Sequence, residues 1–202
     1  MITKPNYKNA YFLLSVADLK QLPPDEGIEV AIVGRSNAGK SSVLNKLTQN
    51  KGLARVSKTP GRTQLINLFA LDDKRRLADL PGYGYAKVTK ETKAGWQVLL
   101  DRYLRERQCL RGLLLVMDIR HPLKEFDQAI LRWANDAQLS VHILLNKADK
   151  LSLHQLKQTV QKVEQYIQTL NTEVTCQPLS ALKGQGIDHL QKKCDTWFSQ
   201  KN

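Results

Sequence analysis

Three cysteines in 202 residues, Cys109, Cys176 and Cys194, are too few and too scattered for a disulfide framework or a zinc site. Packing is the role they suit. Long apolar runs are missing as well. The longest near the middle, Leu113-Leu114-Leu115-Val116-Met117, is far too short to cross a bilayer. The first residues, Met1 to Asn6, lack the charged-then-apolar layout of a secretory signal. These absences lead us to expect a cytoplasmic protein with no membrane span. Acidic residues are in deficit: 19 Asp and Glu face 31 Lys and Arg, for a net charge of +12. A polyanion would exploit that excess through counterion release and steering, and RNA is the partner we expect. A merely soluble basic surface is the alternative, since the basic residues are dispersed and not gathered in one tail.

The length fits one domain with a substantial core, and 42% hydrophobic with 25% charged residues is ordinary for a globular chain. Apolar strand-like runs recur near 28–33, 65–71, 76–80, 111–117, 140–145 and 173–178. Helical stripes lie between several of them. Trp96, Leu99, Leu100, Tyr103 and Leu104 form one, and Leu153, Leu156, Val160, Val163, Ile167 and Leu170 another. Ser152 and Gln155 fit a capping box before the second stripe. Ile187, Leu190, Cys194 and Trp197 share one side of a last helix. The alternation predicts an α/β fold: a mostly parallel six-stranded sheet with one antiparallel edge strand and helices on both faces. The antiparallel pair should be 65–71 with 76–80, because Asp72-Asp73-Lys74-Arg75 is too short for a helical crossover. Residues 1–27, ending near Pro23-Pro24, read as an extension packed on a single domain spanning 28–202.

Chemistry concentrates first at Gly34-Arg35-Ser36-Asn37-Ala38-Gly39-Lys40-Ser41, which has the spacing G-x-x-x-x-G-K-S. An apolar run, Ile28 to Val33, enters it, and Val43-Leu44-Asn45-Lys46-Leu47 leaves it as a helix. Its glycines let backbone N–H groups curl around phosphate oxygens, and the helix N-terminus adds a favourable dipole. Lys40 can reach β- and γ-phosphates, and the Ser41 hydroxyl is placed to ligate Mg²⁺.

Later residues choose the base. Asn146-Lys147-Ala148-Asp149 follows the apolar run Val141 to Leu145. Guanine offers two adjacent donors that match the Asp149 carboxylate, whereas adenine lacks that pair. Asn146 can bond the other edge of the base, and the Lys147 stem can lie along purine and sugar. In Leu179-Ser180-Ala181-Leu182, small residues would let backbone N–H groups approach the guanine carbonyl. Asp79-Leu80-Pro81-Gly82 ends a short strand; Asp79 suits Mg²⁺ through water, and Gly82 supplies an N–H where a γ-phosphate would lie. Between these loops stands Thr59-Pro60-Gly61-Arg62-Thr63-Gln64, whose Thr63 is the candidate second protein ligand of Mg²⁺.

Five motifs in this order resemble the translation-factor class of P-loop GTPases. More narrowly, GRSNAGKSS at 34–42, KTPGRTQLINLF at 58–69, DLPGYGYAKV at 79–88 and MDIRHPL at 117–123 resemble the bacterial EngB (YihA/YsxC) GTP-binding proteins, over essentially the whole chain. The resemblance implies a Ras-like fold, GTP bound with Mg²⁺, and a role in assembling the large ribosomal subunit, with a need in normal cell division and septation. It assigns phosphate to Gly34 through Ser41, Mg²⁺ to Ser41 and Thr63, switching to Gly61–Gln64 and Asp79–Gly82, and guanine to Asn146–Asp149. We expect Lys40, Thr63, Gly82 and Asn37 to serve hydrolysis.

Tyr83 stands where many GTPases carry a water-orienting glutamine, so unaided hydrolysis should be slow. Asn37 raises a second expectation, since related GTPases with Asn at this position can use K⁺ against the phosphates. A purely loop-stabilising Asn37 is the alternative. Tyr83 and Tyr85 can either stack on RNA bases or pack against the switch helix, and packing is the expected outcome. Competing with a ribosomal switch are a GTPase of a protein-only division pathway and a nucleotide-gated RNA-binding module.

Overall fold

The computed structural model describes residues 4–54, 65–83 and 90–200. The expectations for Gly61, Arg62, Thr63, Gln64 and Tyr85, and for the Trp96 side chain, lie outside the described residues. Seven strands form one sheet: β1 (Tyr11–Val16), β2 (Ile28–Gly34), β3 (Ile66–Ala70), β4 (Arg75–Asp79), β5 (Leu110–Asp118), β6 (Val141–Asn146) and β7 (Val174–Pro178). Their spatial order is β1-β3-β4-β2-β5-β6-β7. The pairs β4–β2, β2–β5, β5–β6 and β6–β7 are parallel, while β3 runs antiparallel to β4 and β1. The sheet is thus mostly parallel with its antiparallel pairing at one edge, as expected, but the described residues form seven strands where six were predicted. The extra one is Tyr11–Val16. Tyr11, Phe12 and Leu13 are all exposed and a register shift interrupts the pairing, so no two-residue alternation marks this strand in the sequence.

Helices α1 (Lys40–Leu47), α2 (Lys90–Glu106), α3 (Glu125–Asp136), α4 (Leu153–Ile167) and α5 (Ile187–Phe198) cover both faces. β2 is an almost unbroken apolar run because it is buried on both sides. Its Val30 and Ile32 pack with Val43, Leu44 and Leu47 of α1 and with Leu190, Trp197 and Phe198 of α5. Its Ala31 and Val33 belong to the opposite core, with Leu100 and Tyr103 of α2, Ile130 and Leu131 of α3, and Val163 of α4. α5 presses close to the sheet: a Cβ at Gly112 would lie 2.2 Å from the Trp197 ring, so only glycine fits beneath it. The Ser152–Gln155 capping box forms as read, but Leu153 is 79% exposed and outside the apolar stripe. It occupies the first helical position, before α4 has turned its face to the sheet. α3 was not among the predicted stripes; its inner face carries Ile130, Leu131 and Ala134 together with a buried acid, Asp127. Among the described residues no helix is long and apolar enough to cross a membrane.

This winding brings the C-terminal ends of β2, β4, β5, β6 and β7 to one rim. Crevices at that rim are where open α/β sheets hold their ligands.

Candidate functional site

The loop from Gly34 to Lys40 leaves the central strand and opens α1. A Cβ on Gly34 would sit 2.3 Å from the Val116 carbonyl oxygen, so the loop departs flush against β5. Asn37 and Gly39 hold φ of 65° and 101°. Asn tolerates the left-handed region better than most residues, and Gly does so freely. A side chain at Gly39 would also meet Asn146 Nδ2 at 2.3 Å. Ala38 N–H bonds the Arg35 carbonyl at 3.0 Å, closing the curl, while Ser36 and Ser41 stay partly accessible and Arg35 exposed. The opening turn of α1 presents backbone N–H groups and the positive end of its dipole, a setting suited to a polyphosphate.

Lys40 and Asp79 meet across this loop, Nζ to Oδ1 4.0 Å, each mostly shielded from solvent. Among the described residues nothing donates a hydrogen bond to the buried Oδ1 of Asp79. Burial raises the Asp79 pKa, with Lys40 acting against the rise. An unpartnered buried carboxylate oxygen beside a hydroxyl-bearing helix start fits a hard, largely hydrated cation such as Mg²⁺. Among the described residues no cluster of three His, Cys, Asp or Glu side chains offers a different metal site. Gly82 lies against the same lysine, since a Cβ there would be 3.2 Å from Lys40 Nζ. Leu80 and Pro81 are buried, with Leu80 N–H bonded to the Ile32 carbonyl at 2.9 Å. Their side chains brace the strand end, leaving Gly82 as the exposed member of the four.

Tyr83 departs from one reading of the sequence. It is 3% exposed, stacks on Phe126 of α3 at 5.1 Å between ring centroids, and donates its hydroxyl hydrogen bond to Asp127. It packs on α3, in a buried core that also holds Leu100 and Tyr103 of α2, and its ring is closed to RNA bases. Burial together with the neighbouring carboxylate pushes the Tyr83 hydroxyl well above its usual pKa, so it stays protonated. Asp127 is also raised by burial, against the opposing effect of that hydroxyl.

At the other end of the rim, Asn146 ties two loops together. Its amide donates to the Ala38 carbonyl at 2.8 Å and accepts from Ala181 N–H at 3.1 Å. Bracing the phosphate loop is a role beyond the base contact read from sequence. Lys147, at φ 66°, extends its ammonium to the Asn37 carbonyl at 2.7 Å and to Asp118 Oδ2 at 2.9 Å. Asp118 lies in a motif quoted above but was not singled out. The Arg120 guanidinium, and then Lys147, hold its carboxyl well below the usual carboxylate range. Ser180 donates to Asp149 Oδ1 at 2.5 Å, which lowers the Asp149 pKa and keeps it ionised. Lys183 N–H bonds back to the Ser180 hydroxyl at 3.1 Å, and the Leu179 carbonyl accepts Ala148 N–H at 3.0 Å. Ser180 thus acts here by orienting Asp149, with Ala181 N–H engaged by Asn146.

Comparison with known proteins gives the family. Residues 29–147 match the family described as 50S ribosome-binding GTPase, and residues 100–200 match the elongation factor Tu GTP binding domain. A probable GTP-binding protein EngB of Vibrio parahaemolyticus is 51% identical over 199 residues, covering 98% of this chain and 91% of that one. A namesake of Escherichia coli O139:H28 is 53% identical, covering 98% and 95%. A crystal structure of a probable GTP-binding protein engB shares the fold with a TM-score of 0.70 at 19% identity, over 86% of this chain and all of that one. With half its residues identical to these relatives along nearly the whole length, the chain belongs to the EngB family of GTP-binding proteins and is a GTPase.

Proposed function

We propose that this GTPase is a cytoplasmic switch acting on the precursor of the large ribosomal subunit, and that normal cell division and septation depend on that action. The observation that carries the reading is the match of residues 29–147 to a family described as ribosome-binding. The net charge of +12 supports it, since guanine-nucleotide binding needs no such excess and an rRNA surface would reward it. Residues 28–202 act as one domain with residues 1–27 packed on it, and the basic surface of this domain meets the ribosomal particle.

In this reading the backbone of Gly34 through Ser41 cradles the phosphates, and Lys40 neutralises their β,γ end. Ser41 and Asp79 would hold Mg²⁺, with Thr63 as a further ligand in the GTP state; the unpartnered Asp79 oxygen supports this. Bound there, the ion offsets phosphate charge. Gly61 through Gln64 and Asp79 through Gly82 change shape with the γ-phosphate. Asp149 receives the two guanine donors, and the Lys147 stem covers the purine while its ammonium stays on the Asn37 carbonyl. Asn146, Ala148, Leu179, Ser180 and Ala181 keep that pocket in register.

Hydrolysis needs help in this scheme, because Tyr83 is buried against Phe126 and cannot orient water. Large-subunit particles supply part of that help, and K⁺ beside the exposed Asn37 supplies the rest. The test is GTP turnover with and without particles, in K⁺ and in Na⁺, for the unaltered protein and Asn37→Ala. Stimulation by particles, and a K⁺ advantage lost in Asn37→Ala, are expected. Turnover indifferent to particles would leave only nucleotide-gated RNA binding, and equal rates in both cations would remove the K⁺ role.

A further inference from the structure

We propose that Asp127, on the first turn of α3, is a positioning residue that fixes the switch glycine Gly82 through the hydroxyl of Tyr83. The chain of contacts is continuous. Asp127 Oδ2 accepts the backbone N–H of Lys124 at 2.8 Å, which locks the carboxylate onto the start of α3. Its Oδ1 accepts the Tyr83 hydroxyl. The Tyr83 ring is clamped by Phe126, which in turn meets Trp133 edge-on at 6.1 Å. The Tyr83 backbone is bound to the phosphate loop, its carbonyl accepting Ser36 N–H at 2.8 Å and its N–H reaching the Gly34 carbonyl at 3.4 Å. Gly82 is the preceding residue, against Lys40 Nζ.

The geometry has a functional consequence. A glycine has wide conformational freedom, and an N–H that must meet a γ-phosphate gains from having that freedom removed beforehand. Tyr83 removes it from one side only. The anchor holds the exit of Gly82 to the phosphate loop and to α3, and only its entry side is left to adjust to the nucleotide. A buried carboxylate on the apolar face of a helix is costly, and this one is satisfied by a helix-start N–H and by the residue that follows the switch glycine. GDP has no γ-phosphate to meet Gly82. Loss of the anchor should therefore weaken GTP more than GDP, whereas a purely structural staple would weaken both alike.

The inference rests on the reading of this rim as the nucleotide site. Its test measures Kd for GDP and for a non-hydrolysable GTP analogue with Tyr83→Phe, which removes only the hydroxyl, and with Asp127→Ala. Asp127→Asn serves as the rescue, since an amide can still accept from Lys124 and bond the phenol. Analogue affinity should fall about tenfold in the first two, the size expected for a buried charge-assisted hydrogen bond, with GDP affinity within about twofold. Asp127→Asn should keep most of the preference. Should Asp127→Ala fail to fold, Tyr83→Phe carries the measurement alone. Equal losses for both nucleotides, or no loss for either, would overturn the positioning role while leaving the site intact. An unaltered protein that binds neither nucleotide would overturn both.

Discussion

At the residue scale, Ser180 fixes one oxygen of the Asp149 carboxylate and keeps the group charged, the state that our reading of Asp149 as the guanine ligand requires. An ionised carboxylate accepts two hydrogen bonds, and guanine has two adjacent donors to give. Asp149→Asn turns half of that acceptor into a donor. GTP affinity should drop by at least about tenfold and xanthine nucleotides should gain, as read by competition binding. Unchanged GTP affinity would refute the assignment. His142, away from this pocket, governs acid sensitivity. It is a buried residue of β6 facing His189 of α5, with the Thr175 hydroxyl 2.7 Å from Nδ1 and Gln177 Oε1 2.9 Å from Nε2. Gln177 donates its own amide to the Gly186 carbonyl, so its oxygen faces the ring and Nε2 carries the proton. Burial, with Lys193 and His189 nearby, lowers the His142 pKa to about 4. The unfolded chain, titrating near 6.5, therefore binds the proton first. His142 costs nothing above that pH, and stability falls as pH drops from about 6.5 towards 4, by about 3 kcal/mol in all. Urea unfolding at pH 7 and pH 4.5 should show a loss larger than that of His142→Gln. Equal losses would mean that His142 is not held neutral.

At the element scale, the end of the sheet opposite the nucleotide rim is pinned by one acid. Glu29 on β2 is 0% exposed and receives Tyr103 of α2, Arg107 just after α2 and Arg76 of β4. The same guanidinium groups reach the Pro23 and Glu26 carbonyls, tying the N-terminal segment to the sheet. Glu29→Ala would strand two buried guanidinium groups. It should cost about 3–5 kcal/mol in urea denaturation, and a loss below about 1 kcal/mol would contradict the pinning. Nothing in the sequence pattern marked this cluster, because Glu29, Arg76 and the Tyr103–Arg107 pair are distant along the chain and meet only once α2 has docked. The same reason hid Asp127. By contrast β2, β5, β6 and the stripes of α4 and α5 were legible, since burial on one or two faces imprints a local period. β1 was not, for an edge strand whose exposed residues are as apolar as its buried ones carries no alternation. The phosphate loop and the Asn146–Asp149 turn were legible because their chemistry sits in contiguous residues. What those residues spend their hydrogen bonds on, such as Asn146 on Ala38 and Ala181, was not, because each partner lies in another loop.

At the scale of the whole molecule, a net charge of +12 on one GTPase chain is the feature that nucleotide chemistry leaves unexplained. If that charge serves rRNA, binding releases counterions and must weaken as salt rises; if it serves only solubility, salt should matter little. The switch adds a second condition, because a partner that reads the nucleotide must discriminate the GTP from the GDP form. The measurement that joins both is co-sedimentation with large ribosomal subunits and their precursors, in a GTP analogue and in GDP, across ionic strength. The account predicts binding in the analogue-bound state that falls at least about tenfold between about 50 and 200 mM salt, and much weaker binding with GDP. Failure of the analogue-loaded protein to sediment with particles at low salt would contradict it.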